Sequence, residues 1–216
     1  MGRIQECRLF WREFRTSFRT TGAILPSGRR LSRALAHYVA EPADGPRRVL
    51  EVGPGTGVAT KQIAAALRPG DRLDLVEVNE RFVRLLKEQL QTDPALLPQA
   101  ERIRVLHARI EDLPREERYD VMVSGLPLNN FSVDEVDAIL RIFNELARPD
   151  AVLSFFEYIG IRRLKGALAG RAERERLRGI GQLLETLLAG REIRRQAVWR
   201  NIPPAWVHHV KLEGAT

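Results

Sequence analysis

Short apolar runs alternate with stretches whose apolar positions recur every three or four residues, and this alternation begins near residue 47. Val49-Leu50-Glu51-Val52 is a buried-strand run, followed by glycines and a helical stretch through Ala64-Ala65-Ala66-Leu67 that Pro69-Gly70 ends. A second strand is predicted over 73–78, and Asn79 then caps a helix carrying Phe82, Leu85, Leu86 and Leu90. Strands follow at 103–106 and 119–124. Ser132-Val133-Asp134-Glu135 is a capping box for a helix that ends before Pro149, and a fifth strand is predicted over 151–156. Strands separated by helices imply right-handed crossovers. The expected fold class is therefore α/β, a Rossmann-like, mostly parallel sheet with helices on both faces.

Three segments stand outside this core. Residues 3–19 read as an amphipathic helix with Ile4, Cys7, Trp11, Phe14 and Phe18 on one face and Arg8, Arg12, Arg15 and Arg19 on another. Ser27 caps a second helix through Tyr38. Residues 161–189 read as helical, basic early and leucine-rich late. The segments 193–200 and 206–212 flank Pro203-Pro204 and form a strand pair that extends the sheet. The expected organisation is an N-terminal helical unit over 1–40, acting as lid or membrane contact. A catalytic domain over 41–216 would follow, with a basic helical insertion at 161–190.

Composition narrows the picture. The chain has 216 residues, 44% hydrophobic and 29% charged, which suits one domain with a substantial core. Its one cysteine, Cys7, can form neither an internal disulfide nor a thiolate zinc site, so a reducing compartment is expected and no metal centre. No apolar run approaches the roughly 18 residues that a membrane-spanning helix needs. The N-terminus, with Arg3, Glu6, Arg8 and Arg12, is too charged for a secretory leader. The net charge of +7 is unevenly spread: +6 over residues 1–40, −6 over 41–161 and +7 over 162–200. Two basic segments around an acidic body point to a polyanionic partner, either nucleic acid or an anionic membrane.

The most informative stretch is Leu50-Glu51-Val52-Gly53-Pro54-Gly55-Thr56-Gly57. Glycines between a strand and a helix let the backbone approach a ligand where any Cβ would collide. Glu77 ends the next strand, where a carboxylate can accept from ribose hydroxyls. The spacing is wrong for a dinucleotide fingerprint, because Val58 stands where a third small residue is needed, and no Walker lysine is present. An acid two residues before the first glycine suits a cationic ligand better than a pyrophosphate. On these residues the chain resembles class I S-adenosylmethionine-dependent methyltransferases. The resemblance implies S-adenosylmethionine as cofactor, with S-adenosylhomocysteine as product. It also implies a binding set of Gly22, Glu51, Gly53, Gly55, Gly57, Glu77, Val78, Asn79, Ile110, Glu111, Ser124 and Leu126. Where that family often places an adenine-binding Asp this chain has Arg109, which leaves Glu111 or Asp112 for the role.

Ser124-Gly125-Leu126-Pro127-Leu128-Asn129-Asn130-Phe131 follows the fourth strand. Adenine-N6 methyltransferases, including the ribosomal RNA adenine dimethylases, carry here a polar head and a stacking ring. This chain offers Gly125 and Leu128 instead, and Leu128 has no π-face to compensate a flipped base. The stretch, together with Thr21–Ser27, Leu50–Thr60 and Arg200-Asn201-Ile202-Pro203-Pro204-Ala205, resembles the soluble bacterial phospholipid N-methyltransferases. That resemblance implies methylation of phosphatidylethanolamine towards phosphatidylcholine. It places the enzyme in the cytoplasm, peripheral at the inner face of the membrane, docked on anionic phospholipid through helix 3–19 and with no nucleic-acid partner favoured. The N-terminal apolar face either enters the interface or packs on the domain, and the two are compatible. A ribosomal RNA adenine dimethylase is the alternative.

Transfer to an amine requires the neutral amine and, after attack, stabilisation of a cationic nitrogen. Asn129, Glu157 and Tyr158 are the candidate catalytic residues, with the carbonyls of Ser124 and Gly125 and the side chain of Asn130 nearby. His208 and His209, inside a late strand, read as structural.

Overall fold

The structure, a computed structural model, describes residues 28–159, 170–201 and 203–214. The predicted helix 3–19, Gly22 and the first part of the basic insertion lie outside the described residues.

A seven-stranded sheet forms the centre, in the order β3-β2-β1-β4-β5-β7-β6. Strands β1 (Arg48–Val52), β2 (Arg72–Glu77), β3 (Ile103–His107), β4 (Tyr119–Ser124) and β5 (Ala147–Tyr158) are mutually parallel. Strands β6 (Glu192–Val198) and β7 (Ala205–Lys211) form an antiparallel hairpin, and β7 also runs antiparallel to β5. The predicted α/β class and the strand pair that extends the sheet are both present. Strand order reverses between β1 and β4, and such a switch point opens a crevice beyond the carboxyl ends of those strands.

Helices α1 (Arg29–Leu35), α2 (His37–Ala40), α3 (Val58–Ala66) and α4 (Glu80–Thr92) connect or cover the first strands. α5 (Val133–Leu146) and α6 (Arg171–Leu188) follow them in the chain. Alternate strand residues feed two cores. Leu50, Met122, Leu153 and Phe155 meet Ile139 and Phe143 of α5 and Ile180 and Leu184 of α6. Val49, Leu75, Val123 and Phe156 meet Leu31, Leu35, Val39, Ile63 and Leu86 on the other face.

Local chemistry sets the helix boundaries. Asn79 caps α4 by accepting from the Arg81 amide at 3.0 Å. Ser132 and Glu135 form the predicted capping box of α5, with reciprocal bonds of 3.2 and 2.8 Å. Strand β5 is longer than the expected 151–156. It begins directly after α5, and its pairing with β4 shifts register after Tyr119, with Asp150 at φ +66°. Pro149 supplies no amide to the ladder, which fits that irregular start.

The boundary placed at residue 40 needs correction. Leu31, Ala34, Leu35, Ala36 and Val39 belong to the second core, so residues 29–40 are part of the domain rather than of a separate unit. Their attachment is specific: the Gly28 amide donates to Asn201 Oδ1 at 3.0 Å, and Asn201 Nδ2 donates to the Pro203 carbonyl at 2.7 Å. Asn201 thus anchors the start of α1.

Candidate active site

The crevice is built by three strand ends tied together through backbone. The Gly53 amide donates to the Val76 carbonyl at 2.9 Å, and the Gly125 amide donates to the Val52 carbonyl at 2.8 Å. A Cβ on Gly125 would stand 2.4 Å from the Gly53 carbonyl oxygen, and one on Gly53 would stand 2.9 Å from Leu126 Cδ2. Gly125 therefore serves a close backbone approach. Gly53, Gly55 and Gly57 all have positive φ, at +71°, +56° and +81°, as the sharp turn into α3 demands. A Cβ on Gly55 would meet no protein atom within 4 Å, so this glycine borders open space rather than packing.

Two buried acids frame the loop. Glu77 accepts from the Gly55 amide at 3.0 Å through Oε2 and from the Asn79 amide at 2.8 Å through Oε1. It thereby ties the glycine turn to the α4 cap. Burial pushes its carboxyl up, and these amides pull it back. Glu51 is 1% exposed; its Oε2 accepts from Thr60 Oγ1 at 2.7 Å, and its Oε1 has no partner. Burial foremost, and the neighbouring Glu77 charge, push its pKa up to about 8 against the opposing pull of Thr60.

Other buried acids of the sheet are treated differently. Asp74 pairs with Arg48 and Arg104 at 3.1 and 2.9 Å and accepts from Tyr119 Oη at 2.9 Å, while Asp71 pairs with Arg47 at 3.3 Å. Among the described residues neither Glu51 nor Glu77 has an arginine or lysine ion pair. Buried carboxylates without cationic side chains are expensive. Two of them converging on a glycine turn suit a ligand that brings its own positive charge and its own hydroxyl donors. S-adenosylmethionine brings both, so the residues fit it.

At the adenine end Ile110 is buried and shares a core cluster with Leu126 and Leu128. It opens a short 3-10 turn, Ile110–Asp112. Asp112 is spent locally, accepting from the Arg109 amide at 3.3 Å, whereas Glu111 Oε2 is buried without a partner. Of the two acids considered for the adenine amino group, Glu111 is the one with an acceptor to spare. Val78 offers backbone only, and its carbonyl lies 3.1 Å from His107 Nε2. The side chain of Asn79 is engaged in capping α4.

The candidate acceptor wall is the turn that follows β4. Ser124 Oγ accepts from the Leu126 amide at 3.3 Å, and Leu126 and Leu128 are 5% and 4% exposed. Asn129 is also buried, with Oδ1 unpartnered. A residue that the sequence did not single out holds this turn. Arg176 of α6 donates to the Asn129 carbonyl at 3.0 Å and to the Phe131 carbonyl, and is itself paired with Glu173 at 2.6 Å. The candidates Glu157 and Tyr158 close β5 beside this turn but leave the strand on opposite faces. Tyr158 packs with the Phe156 ring at 5.1 Å against the second core, and burial pushes its phenol up. Glu157 follows the alternation of Phe155 on the side of the acceptor turn. His209 is buried, 2.8 Å from Ser154 Oγ, and its pKa is pushed down to about 4 by burial first and by His37, Arg194 and His208 next.

Sequence reasoning missed Thr60, Gly125's packing role and Arg176. Thr60 had a faint signal as a hydroxyl on the buried face of an alanine-rich helix. Arg176 had none, because its partners lie 45 and 47 residues away.

Comparison with known proteins agrees with this geometry. Residues 49–150 match the family described as methyltransferase domain. Ornithine lipid N-methyltransferase of Singulisphaera acidiphila is 28% identical over 138 residues, covering 61% of this chain and 67% of that protein. Among solved structures, the O-methyltransferase from Bacillus cereus in complex with SAH aligns with TM-score 0.61 at 17% identity, over 94% of this chain and 90% of that one. The O-methyltransferase TomG from Streptomyces achromogenes, in complex with SAM, gives 0.57 at 19% identity, over 85% and 79%. The chain has the methyltransferase fold.

Proposed function

We propose that this chain, a class I S-adenosylmethionine-dependent methyltransferase, methylates the amino headgroup of phosphatidylethanolamine and its partly methylated products, towards phosphatidylcholine, at the inner face of a membrane. The donor supplies an electrophilic methyl group on a sulfonium. The chain's own residues orient it and receive the amine. The turn Gly53–Gly57 would hold the donor's amino-acid portion, the Glu51 carboxyl bonded to Thr60 would answer its positive charge, and Glu77, bonded to the Gly55 amide, would accept from the ribose. Glu111 takes the adenine amino group.

One observation carries the acceptor assignment. The turn after β4 carries the buried aliphatic side chains of Leu126 and Leu128 and the partnerless carboxamide oxygen of Asn129, with Leu128 rather than an aromatic residue directly after Pro127. Such a wall cannot stack a purine, but it can desolvate an ammonium group, lowering its pKa towards the reactive neutral amine. The oxygen of Asn129, with Glu157 on the same side of the sheet, then stabilises the nitrogen as it becomes cationic. In-line orientation supplies most of the acceleration. The name of the ornithine lipid relative, a lipid N-methyltransferase, supports an amino-lipid acceptor. Docking on anionic lipid through residues 3–19 belongs to the same reading.

Labelled methyl donor, offered with phosphatidylethanolamine vesicles or with ribosomal RNA, tests it. Label in extracted lipid is the expected outcome. Label confined to RNA replaces this reading with the adenine dimethylase. Label in neither, with a free amine or alcohol accepting instead, makes the chain a small-molecule methyltransferase.

A further inference from the structure

A second charged surface lies away from the donor crevice. Between α1 and β6 runs a groove of about 700 Å³ lined by Arg30, Arg33, His37, Arg194, Trp199 and Arg200, among others. Positions 30, 33 and 34 share one face of α1, His37 opens α2, and positions 194, 196 and 198 share one face of β6, so these elements aim one flank into the groove. No acid lines it. Arg30, Arg33, Arg194 and Arg200 are exposed and form no ion pair among the described residues, although arginines elsewhere on the domain pair repeatedly.

The rim has its own chemistry. Trp199 is 64% exposed and lies edge-on to Trp206 at 6.1 Å, and Arg195 covers the Trp206 ring at 4.9 Å. Ile193, on the same edge strand, is 45% exposed. An exposed indole flanked by arginines suits the headgroup level of a bilayer.

The position matters as much. Ala205 of β7 pairs with Tyr158 at the end of β5, so the hairpin that carries Trp199 and Arg200 stands at the same end of the sheet as the glycine turn and the acceptor wall. A bilayer touching that hairpin faces the methyl-transfer end of the domain.

We propose that the α1–β6 groove is a docking site for the phosphate headgroups of anionic phospholipid, with Trp199 inserted at the interface beside it. Four guanidiniums without carboxylate partners among the described residues hold phosphate oxygens, and the surface acts independently of residues 3–19. The usefulness of docking at this end rests on the lipid-acceptor reading, whereas the binding itself does not.

The test is sedimentation of the full chain with phosphatidylcholine vesicles, with and without phosphatidylglycerol. Arg33→Gln/Arg194→Gln should weaken binding to the anionic vesicles about thirtyfold at low salt, from the contribution of two near-surface arginines. Arg84→Gln/Arg141→Gln, exposed arginines on other faces, should leave it unchanged. Trp199→Ala should weaken binding by an amount that added salt does not remove. Binding that survives the groove variant, an equal loss in the control variant, or RNA binding that is stronger than vesicle binding and lost in the groove variant overturns the proposal. Wild-type methyl transfer into lipid is measured alongside. If it fails while groove-dependent vesicle binding persists, the acceptor assignment falls and the docking site stands.

Discussion

The donor crevice and the acceptor wall lie side by side at one end of the sheet, yet they are held in different ways. The crevice is built by neighbours. Gly53, Gly55, Glu77 and Asn79 are joined by short backbone bonds, and Gly125 is pressed against Gly53. The acceptor wall is instead clasped from outside by Arg176 and keeps a polar side chain unpaired at Asn129. A site that binds one unchanging cofactor can be rigid and locally encoded. The turn after β4 draws part of its support from one arginine of another helix.

Gly125→Ala breaks the rigid side most directly. The added methyl would stand 2.4 Å from a backbone oxygen that is itself fixed by the β1 turn, so no side-chain rotation relieves the clash. The expected cost is about 3 kcal/mol or more, with donor binding lost. Thermal melting and donor calorimetry measure both. An alanine variant that melts normally and binds donor would show that the two strand ends are not locked together.

Glu51→Gln tests why the crevice keeps an acid without a cation. The unfolded carboxyl titrates near 4.5 and the folded one near 8. Between those values the folded state holds the extra proton, so stability is complete below the lower pH and falls as pH rises towards 8. In the absence of donor, Glu51→Gln should flatten that fall and leave the protein more stable than wild type at pH 8, by on the order of 3 kcal/mol. Its affinity for the cationic donor should drop at least tenfold. A gain in stability with a loss of affinity marks a residue kept for the ligand; a loss of both would make Glu51 structural.

The same contrast explains what the sequence could reveal. The glycines, Glu51, Glu77, the Asn79 cap and the Ser132–Glu135 box are local patterns in which spacing dictates geometry, and the strand–helix alternation carried the sheet and its C-terminal hairpin. The attachment of residues 29–40 was misjudged, because its evidence is a contact between Gly28 and Asn201, 173 residues apart. Arg176 was invisible for the same reason. Its chain neighbourhood, charged and glycine-interrupted, reads as a solvated helix whether or not it grips a distant carbonyl.

Arg176→Met keeps the length of that side chain and removes its charge-assisted bonds to the Asn129 and Phe131 carbonyls. Stability should fall by about 2 kcal/mol. The acceptor KM should rise about tenfold while donor affinity stays as in wild type. If donor affinity falls equally, the two regions are one mechanical unit and the contrast between them fails.

The smallest structural effect is expected where the chemical effect is large. Asn129→Ala deletes a buried oxygen that has no partner and leaves intact the backbone carbonyl that Arg176 holds. An unpaired buried acceptor contributes nothing to folding that its desolvation has not already cancelled, so the melting temperature should move little, corresponding to under about 1 kcal/mol. Transfer to the lipid amine, by contrast, should slow at least tenfold, because in the proposed function that oxygen is the group that stabilises the nitrogen as it gains charge. Donor affinity should be unchanged. An alanine variant with unaltered turnover would place the acceptor elsewhere, against Glu157 or the backbone carbonyls of Ser124 and Gly125. The unpaired amide would then be a packing defect rather than the contact that distinguishes the acceptor wall from the crevice beside it.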